Sequence, residues 1–75
     1  MDDLAIQRRV EQTIEQCRAF DMETDARDVA EIMTDEDTVA GKYELLSVER
    51  AAAFVEYEKA ARRALRRLGV DRRPA

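Results

Sequence analysis

The sequence predicts an all-α fold, a compact bundle of three to four helices with a long C-terminal helix. Three observations predict it. The 75 residues include only two glycines and one proline, which leaves little material for tight turns. Apolar residues recur at helical spacing along most of the chain, and good N-capping residues precede several of the periodic segments. We therefore predict one α-helical domain over residues 1–70 and a short C-terminal tail over residues 71–75.

The first predicted helix runs from Asp2 or Asp3 to Phe20. Its apolar residues recur at steps of four, four, three and three, which places them on one face of a helix. They are Ile6, Val10, Ile14, Cys17 and Phe20. Acidic residues at its start suit the positive end of the helix dipole.

The second predicted helix is short, from about Asp25 to Met33, with Thr24 as its N-cap. Val29, Ile32 and Met33 form its apolar stripe. The spacing therefore predicts a helix with one buried face.

The third predicted helix begins in the stretch "TDED", at Thr34 or Asp35, and carries Val39, Tyr43 and Leu46 on one face. Gly41 lies inside this segment and costs about 1 kcal/mol relative to alanine. Whether the helix continues through that glycine is open at this point.

The fourth predicted helix is the long C-terminal one. Ser47 is a good N-cap, Glu49 lies in the first turn, and Gly69 provides the stop. At 100° per residue, five basic side chains fall on one side and the apolar ones opposite, which is typical of an amphipathic helix. The basic residues are Lys59, Arg62, Arg63, Arg66 and Arg67.

The first half of this helix has a different pattern. Val48, Ala52 and Val55 lie on the side that later becomes basic, so residues 48–55 are apolar on two sides. We infer from the sequence that the beginning of the helix is inserted between other helices. Its end is expected to project from the body, where either the first helix, folded back antiparallel, or a second chain could cover its apolar residues.

Charge is divided along the chain. Residues 21–37 contain eight acids and one base, whereas residues 58–73 contain seven bases and two acids. The formal net charge of −4 disfavours a dedicated nucleic-acid binder. The division predicts an acidic middle and a basic C-terminal helix.

The composition argues against an enzyme. The chain has no histidine, which excludes His-dependent acid–base catalysis, and Cys17 is its only cysteine. Asp21, Glu23 and Asp25 have the spacing that opens an EF-hand loop, but residue 26 is alanine where that loop needs glycine. We predict no catalytic residue, no cofactor and no metal site.

The sequence also predicts a cytoplasmic location. A single cysteine gives no intramolecular disulfide. The longest apolar run, residues 51–55, is too short to span a membrane, and the acidic start is unlike a secretory signal.

The first functional hypothesis is a small regulatory or inhibitory protein-binding module that acts through helical faces and an acidic surface. Its expected partner is a protein, and a homodimer is a further expected state. The predicted contacts are the acids Asp25, Asp28, Asp35 and Asp37 and the anchors Val39, Tyr43, Tyr57 and Leu68.

Two alternatives stay open. The five basic residues of the C-terminal helix could form a solvated face, or contact nucleic acid or an acidic protein. In length and acidity the chain is also similar to small phage-encoded inhibitors such as anti-CRISPR proteins, a resemblance of composition that involves no motif. That resemblance implies an acidic surface that blocks a nucleic-acid-binding site.

Overall fold

A computed structural model describes residues 3–69, which form three helices: α1 (Asp3–Ala19), α2 (Ala26–Val39) and α3 (Val48–Arg67). No strand occurs within these residues, and the all-α prediction is confirmed. The predicted tail over residues 71–75 lies outside the described range. No helix in residues 3–69 has both the length and the apolar character needed to cross a membrane.

Helix α1 buries most of its predicted stripe, namely Ile6, Val10, Ile14 and Cys17. Phe20 was wrongly assigned to that stripe, since it is 78% exposed. The helix ends at Ala19, and the chain reverses through Asp21, whose φ is +58°. The Met22 amide then donates to the Cys17 carbonyl at 2.9 Å, as in a Schellman motif. This reversal turns Phe20 away from the core.

The N-cap of α2 is Asp25, not Thr24 as predicted. The Asp25 carboxylate accepts a hydrogen bond from the Asp28 amide at 2.9 Å, and the Asp28 carboxylate accepts one from the Asp25 amide at 3.1 Å. These reciprocal bonds form a capping box. They give acceptors to backbone N–H groups at the start of the helix, which have no partner within it. Of the predicted stripe, Val29 and Met33 are buried and Ile32 is half-buried.

Helix α2 is longer than predicted, because it continues through "TDED" to Val39. The Thr34 hydroxyl donates to the Ala30 carbonyl at 2.9 Å, and the Thr38 hydroxyl donates to the Thr34 carbonyl at 2.7 Å. Threonines bonded to the preceding turn are satisfied inside a helix and do not cap a new one. The predicted break at Thr34 is therefore wrong.

Gly41 ends α2 and does not lie inside a third helix. Its φ of +82° is in the left-handed region, which glycine enters without steric cost. The Lys42 amide donates to the Asp37 carbonyl at 2.8 Å across this turn. Tyr43 and Leu46 lie in the connection 40–47, so the prediction of a separate helix through them is wrong.

Helix α3 begins and ends as predicted for the C-terminal helix. The Ser47 hydroxyl accepts a hydrogen bond from the Arg50 amide at 3.1 Å, and Gly69, with φ +71°, follows the last turn. Its 20 residues correspond to a length of about 30 Å.

The packing of α3 reverses the sequence prediction. Val48 is 82% exposed and Val55 about half exposed, so the beginning of the helix is not inserted between the others. The buried side chains lie mostly in its second half: Ala53, Tyr57, Ala60, Ala61, Ala64 and Leu65. Small side chains let neighbouring backbones approach closely, which explains why the second half packs and does not project.

Candidate interaction surfaces

Asp37 and Tyr57, two of the predicted contact residues, lie in the interior. Asp37 is 5% exposed and Tyr57 is 2% exposed. The Tyr57 hydroxyl donates to Asp37 Oδ2 at 2.5 Å, and Arg9 Nη1 lies 2.8 Å from Asp37 Oδ1. Neither side chain is available to a partner, so neither is kept as a contact residue.

Arg9 completes this buried network from α1. Its guanidinium also donates to the Met33 carbonyl at 3.1 Å and to Glu36 at 3.2 Å, and it lies 5.5 Å from the centre of the Tyr57 ring. Burial lowers the pKa of Arg9, but hydrogen bonds to Asp37 and Glu36 outweigh burial and raise that pKa above its usual value. The network therefore holds a permanently charged arginine between the helices.

Burial and the hydrogen bond to Asp37 raise the pKa of Tyr57 well above its usual value of 10.0. Because the pKa of Tyr57 is higher in the folded than in the unfolded state, its contribution to stability is fully present at pH values below the unfolded-state pKa. That contribution is lost as the pH rises through the folded-state pKa. We therefore expect the free energy of unfolding to fall above about pH 10, in urea titrations taken from neutral to strongly alkaline pH. Tyr57→Phe should flatten this alkaline decline, and an equally steep decline in that variant would contradict the assignment.

An acidic groove lies along α2 and the preceding connection. It is an open depression of about 340 Å³ lined by Met22, Glu23, Thr24, Asp28, Glu31, Ile32 and Asp35. Only Asp28 and Asp35 were predicted as contact residues. Within α2, Glu31 lies three residues after Asp28 and four before Asp35, a helical spacing that was available from the sequence. Met22, Glu23 and Thr24 reach the groove from the connection before the helix.

The predicted acidic contacts already have partners within the fold. In the capping box, the carboxylates of Asp25 and Asp28 each accept a hydrogen bond from the backbone amide of the other residue. Asp35 lies 2.7 Å from Arg50 Nη2 in an ion pair that leaves the carboxylate largely exposed. The structure brings Asp28 and Asp35 to one groove, with Asp25 at the start of the same helix.

Five exposed apolar side chains, called here the apolar edge, belong to the end of α2, the connection 40–47 and the first half of α3: Val39, Leu45, Leu46, Val48 and Val55. Leu46 is 98% exposed and Val39 is 90% exposed. The Arg50 Nε–H donates to the Thr38 hydroxyl at 2.9 Å, which holds the end of α2 beside the first turn of α3. Val39 and Val48 therefore lie at the same end of the molecule, with the connection between them.

The other two predicted anchors are placed elsewhere. Tyr43 is half-buried against the core. Leu68 is partly exposed at the far end of α3, where it forms the C-cap. The structure thus brings only Val39, of the four predicted anchors, to the apolar edge.

The basic side chains of α3 lie mainly on its solvent side, and several contact acids of the same chain. Lys59 is 3.9 Å from Glu56, and Arg62 is 3.4 Å from Glu58. Arg67 is paired with Glu11 of α1. Arg63 and Arg66 are exposed. Pairs of this exposed kind contribute little to stability and exchange easily with a partner's charges.

Within residues 3–69, no three acidic or cysteine side chains are grouped so that they could hold a metal ion. Cys17 is a buried thiol in the core. Comparisons with protein-family models, curated proteins and solved structures gave no match.

Proposed function

We propose that this chain is a small non-enzymatic protein-binding module whose main contact is the apolar edge. The observation that supports this role is the exposure of Leu46, Val39 and Val48, each more than four-fifths exposed. Apolar side chains grouped on a surface are typical of sites where proteins associate.

Energetics favour a partner at this edge. Burying one large aliphatic side chain contributes about 1.5–3 kcal/mol, so a few of them together can support a specific complex. At this edge the Arg50–Thr38 hydrogen bond joins the start of α3 to the end of α2, with the connection 40–47 between them. Such an ordered surface loses less conformational entropy on binding than a mobile one.

The alternative hypotheses receive less support from the placement of their residues. A nucleic-acid contact through α3 would bring the acids Glu56, Glu58 and Glu11 close to the phosphates, which repel them. Charge mimicry would use Asp37, which is buried. Both stay predictions.

Leu46→Asp is expected to weaken partner binding at least tenfold, which corresponds to about 1.4 kcal/mol, because it places a charge where an apolar side chain is buried in the complex. Affinity capture from extracts of the native host, with wild type and variant compared, measures this. The variant should fold normally, since Leu46 makes no buried contact.

Phe20→Asp is the matched control. Phe20 is also exposed and apolar, but it lies at the other end of α2, where α1 ends. We expect this variant to capture the same proteins as wild type. If Leu46→Asp and Phe20→Asp changed the set of captured proteins equally, the apolar edge would not be the contact surface.

A further inference from the structure

The solvent side of α3, called here the outer face, changes character along its length. Val48, Ala51, Ala52 and Val55 make its first half apolar, and Lys59, Arg62 and Arg63 make its second half basic. Tyr57 and Ala61 lie on the opposite side, against the rest of the fold. The outer face thus offers an apolar patch followed by positive charge.

The acidic groove has the complementary character. Met22 and Ile32 supply apolar surface, while Glu23, Asp28 and Glu31 supply negative charge. The two surfaces are complementary, since each has apolar side chains and the charges that flank them are opposite in sign.

We propose that the acidic groove of one copy binds the outer face of α3 of a second copy. This inference rests on the proposed protein-binding role and adds to the apolar edge a second contact, between copies of the chain. Val55 packs on Ile32, and Lys59 and Arg63 face the carboxylates of Glu23 and Glu31. Opposite charges of this kind steer association and fix its register.

The contact lies between two chains and not within one, because α2 and α3 of one chain already pack against each other through their other faces. Val29 and Met33 of α2 and Tyr57 and Ala61 of α3 belong to one buried core. The outer face therefore cannot reach the groove of its own chain.

The exposed pairs Arg27–Glu31 and Lys59–Glu56, at 3.7 and 3.9 Å, are weak enough to exchange for contacts between copies. Formed once between two copies, such a contact is heterologous and leads to closed rings or open chains, whereas a twofold dimer forms it twice, groove to face and face to groove.

Sedimentation equilibrium over a wide range of protein concentration tests this proposal. Wild type should associate, and more weakly as salt rises. A face variant, Lys59→Glu with Arg63→Glu, and a groove variant, Glu23→Lys with Glu31→Lys, should each associate at least tenfold more weakly. All four side chains are exposed, so both variants should stay folded.

Mixing the two variants is the decisive step. The groove variant keeps a basic face and the face variant keeps an acidic groove, so we expect association to return in the mixture. Glu15→Lys with Glu44→Lys is the control, because it changes the net charge as the groove variant does but lies outside both surfaces. This control should associate like wild type.

Several results would overturn the inference. A groove variant that associates like wild type would show that the outer face pairs with itself or with another surface. A control that becomes monomeric would show an effect of net charge alone. A wild-type chain that stays monomeric but binds DNA through Lys59 and Arg63 would assign the outer face to nucleic acid.

Failure of this inference is separable from failure of the proposed function. A monomeric chain that still captures a host protein, and loses it on Leu46→Asp, keeps the protein-binding role and rejects the second copy. A monomeric chain that captures nothing rejects both.

Discussion

Asp37→Ala is expected to destabilise the fold by about 3 kcal/mol, enough to unfold much of a domain this small. The change removes the acceptor of the Tyr57 hydroxyl and the closest counter-ion of Arg9. The buried Tyr57 hydroxyl is then left without its acceptor, and the partly buried Arg9 keeps only contacts such as the exposed Glu36, which costs more than the pair itself contributes. Urea unfolding followed by circular dichroism measures the loss.

Asp35→Ala is the matched control, because Asp35 lies two residues away on α2 and is also paired with an arginine. Its carboxylate is 68% exposed, so its ion pair with Arg50 is hydrated. We expect a loss of less than about 1 kcal/mol. Equal losses for the two variants would contradict the special role given to the buried network.

Ala61→Leu is expected to cost about 2–3 kcal/mol. Ala61 is fully buried in α3, among Tyr57, Ala60 and Ala64. A larger side chain forces the helices apart or into strained rotamers, since the core has no space for it. Thermal unfolding should show a clear decrease in Tm.

Ala52→Leu makes the same change on the exposed side of the same helix. Its effect on stability should stay within about 0.5 kcal/mol, measured at low protein concentration so that self-association does not contribute. If Ala61→Leu were as mild as Ala52→Leu, the close packing of α3 would be disproved.

Periodicity and capping were enough to predict α1 and α3. The stripe of Ile6, Val10 and Ile14 repeats at helical spacing and is buried. Ser47 and Gly69 are residues that helix ends favour, and they flank α3. Such local signals act within a few residues, so they can be read from the sequence without the fold.

The middle of the chain was predicted less well. Thr34 and Asp35 are common N-cap residues, but Thr34 is buried and bonded to the preceding turn. The choice between capping and continuing depends on tertiary packing, which the sequence pattern does not include.

The exposure of the candidate contact residues could be predicted only in part. Val39, Asp28 and Asp35 were chosen from the sequence and lie on exposed surfaces. In the sequence, Asp37 is one of several acids and has no feature that separates it from them. Its burial is explained only by Arg9 and Tyr57, which approach it from other helices. Contacts between residues far apart in sequence leave no local pattern.

The network of Arg9, Asp37 and Tyr57 also has a consequence for how the chain folds. Each helix contributes one member, so the network is complete only when all three helices are docked. Partly assembled states therefore lack part of the stabilisation from this network, and unfolding should be all-or-none. Backbone amides in all three helices should then share one protection factor against hydrogen exchange, apart from the frayed ends.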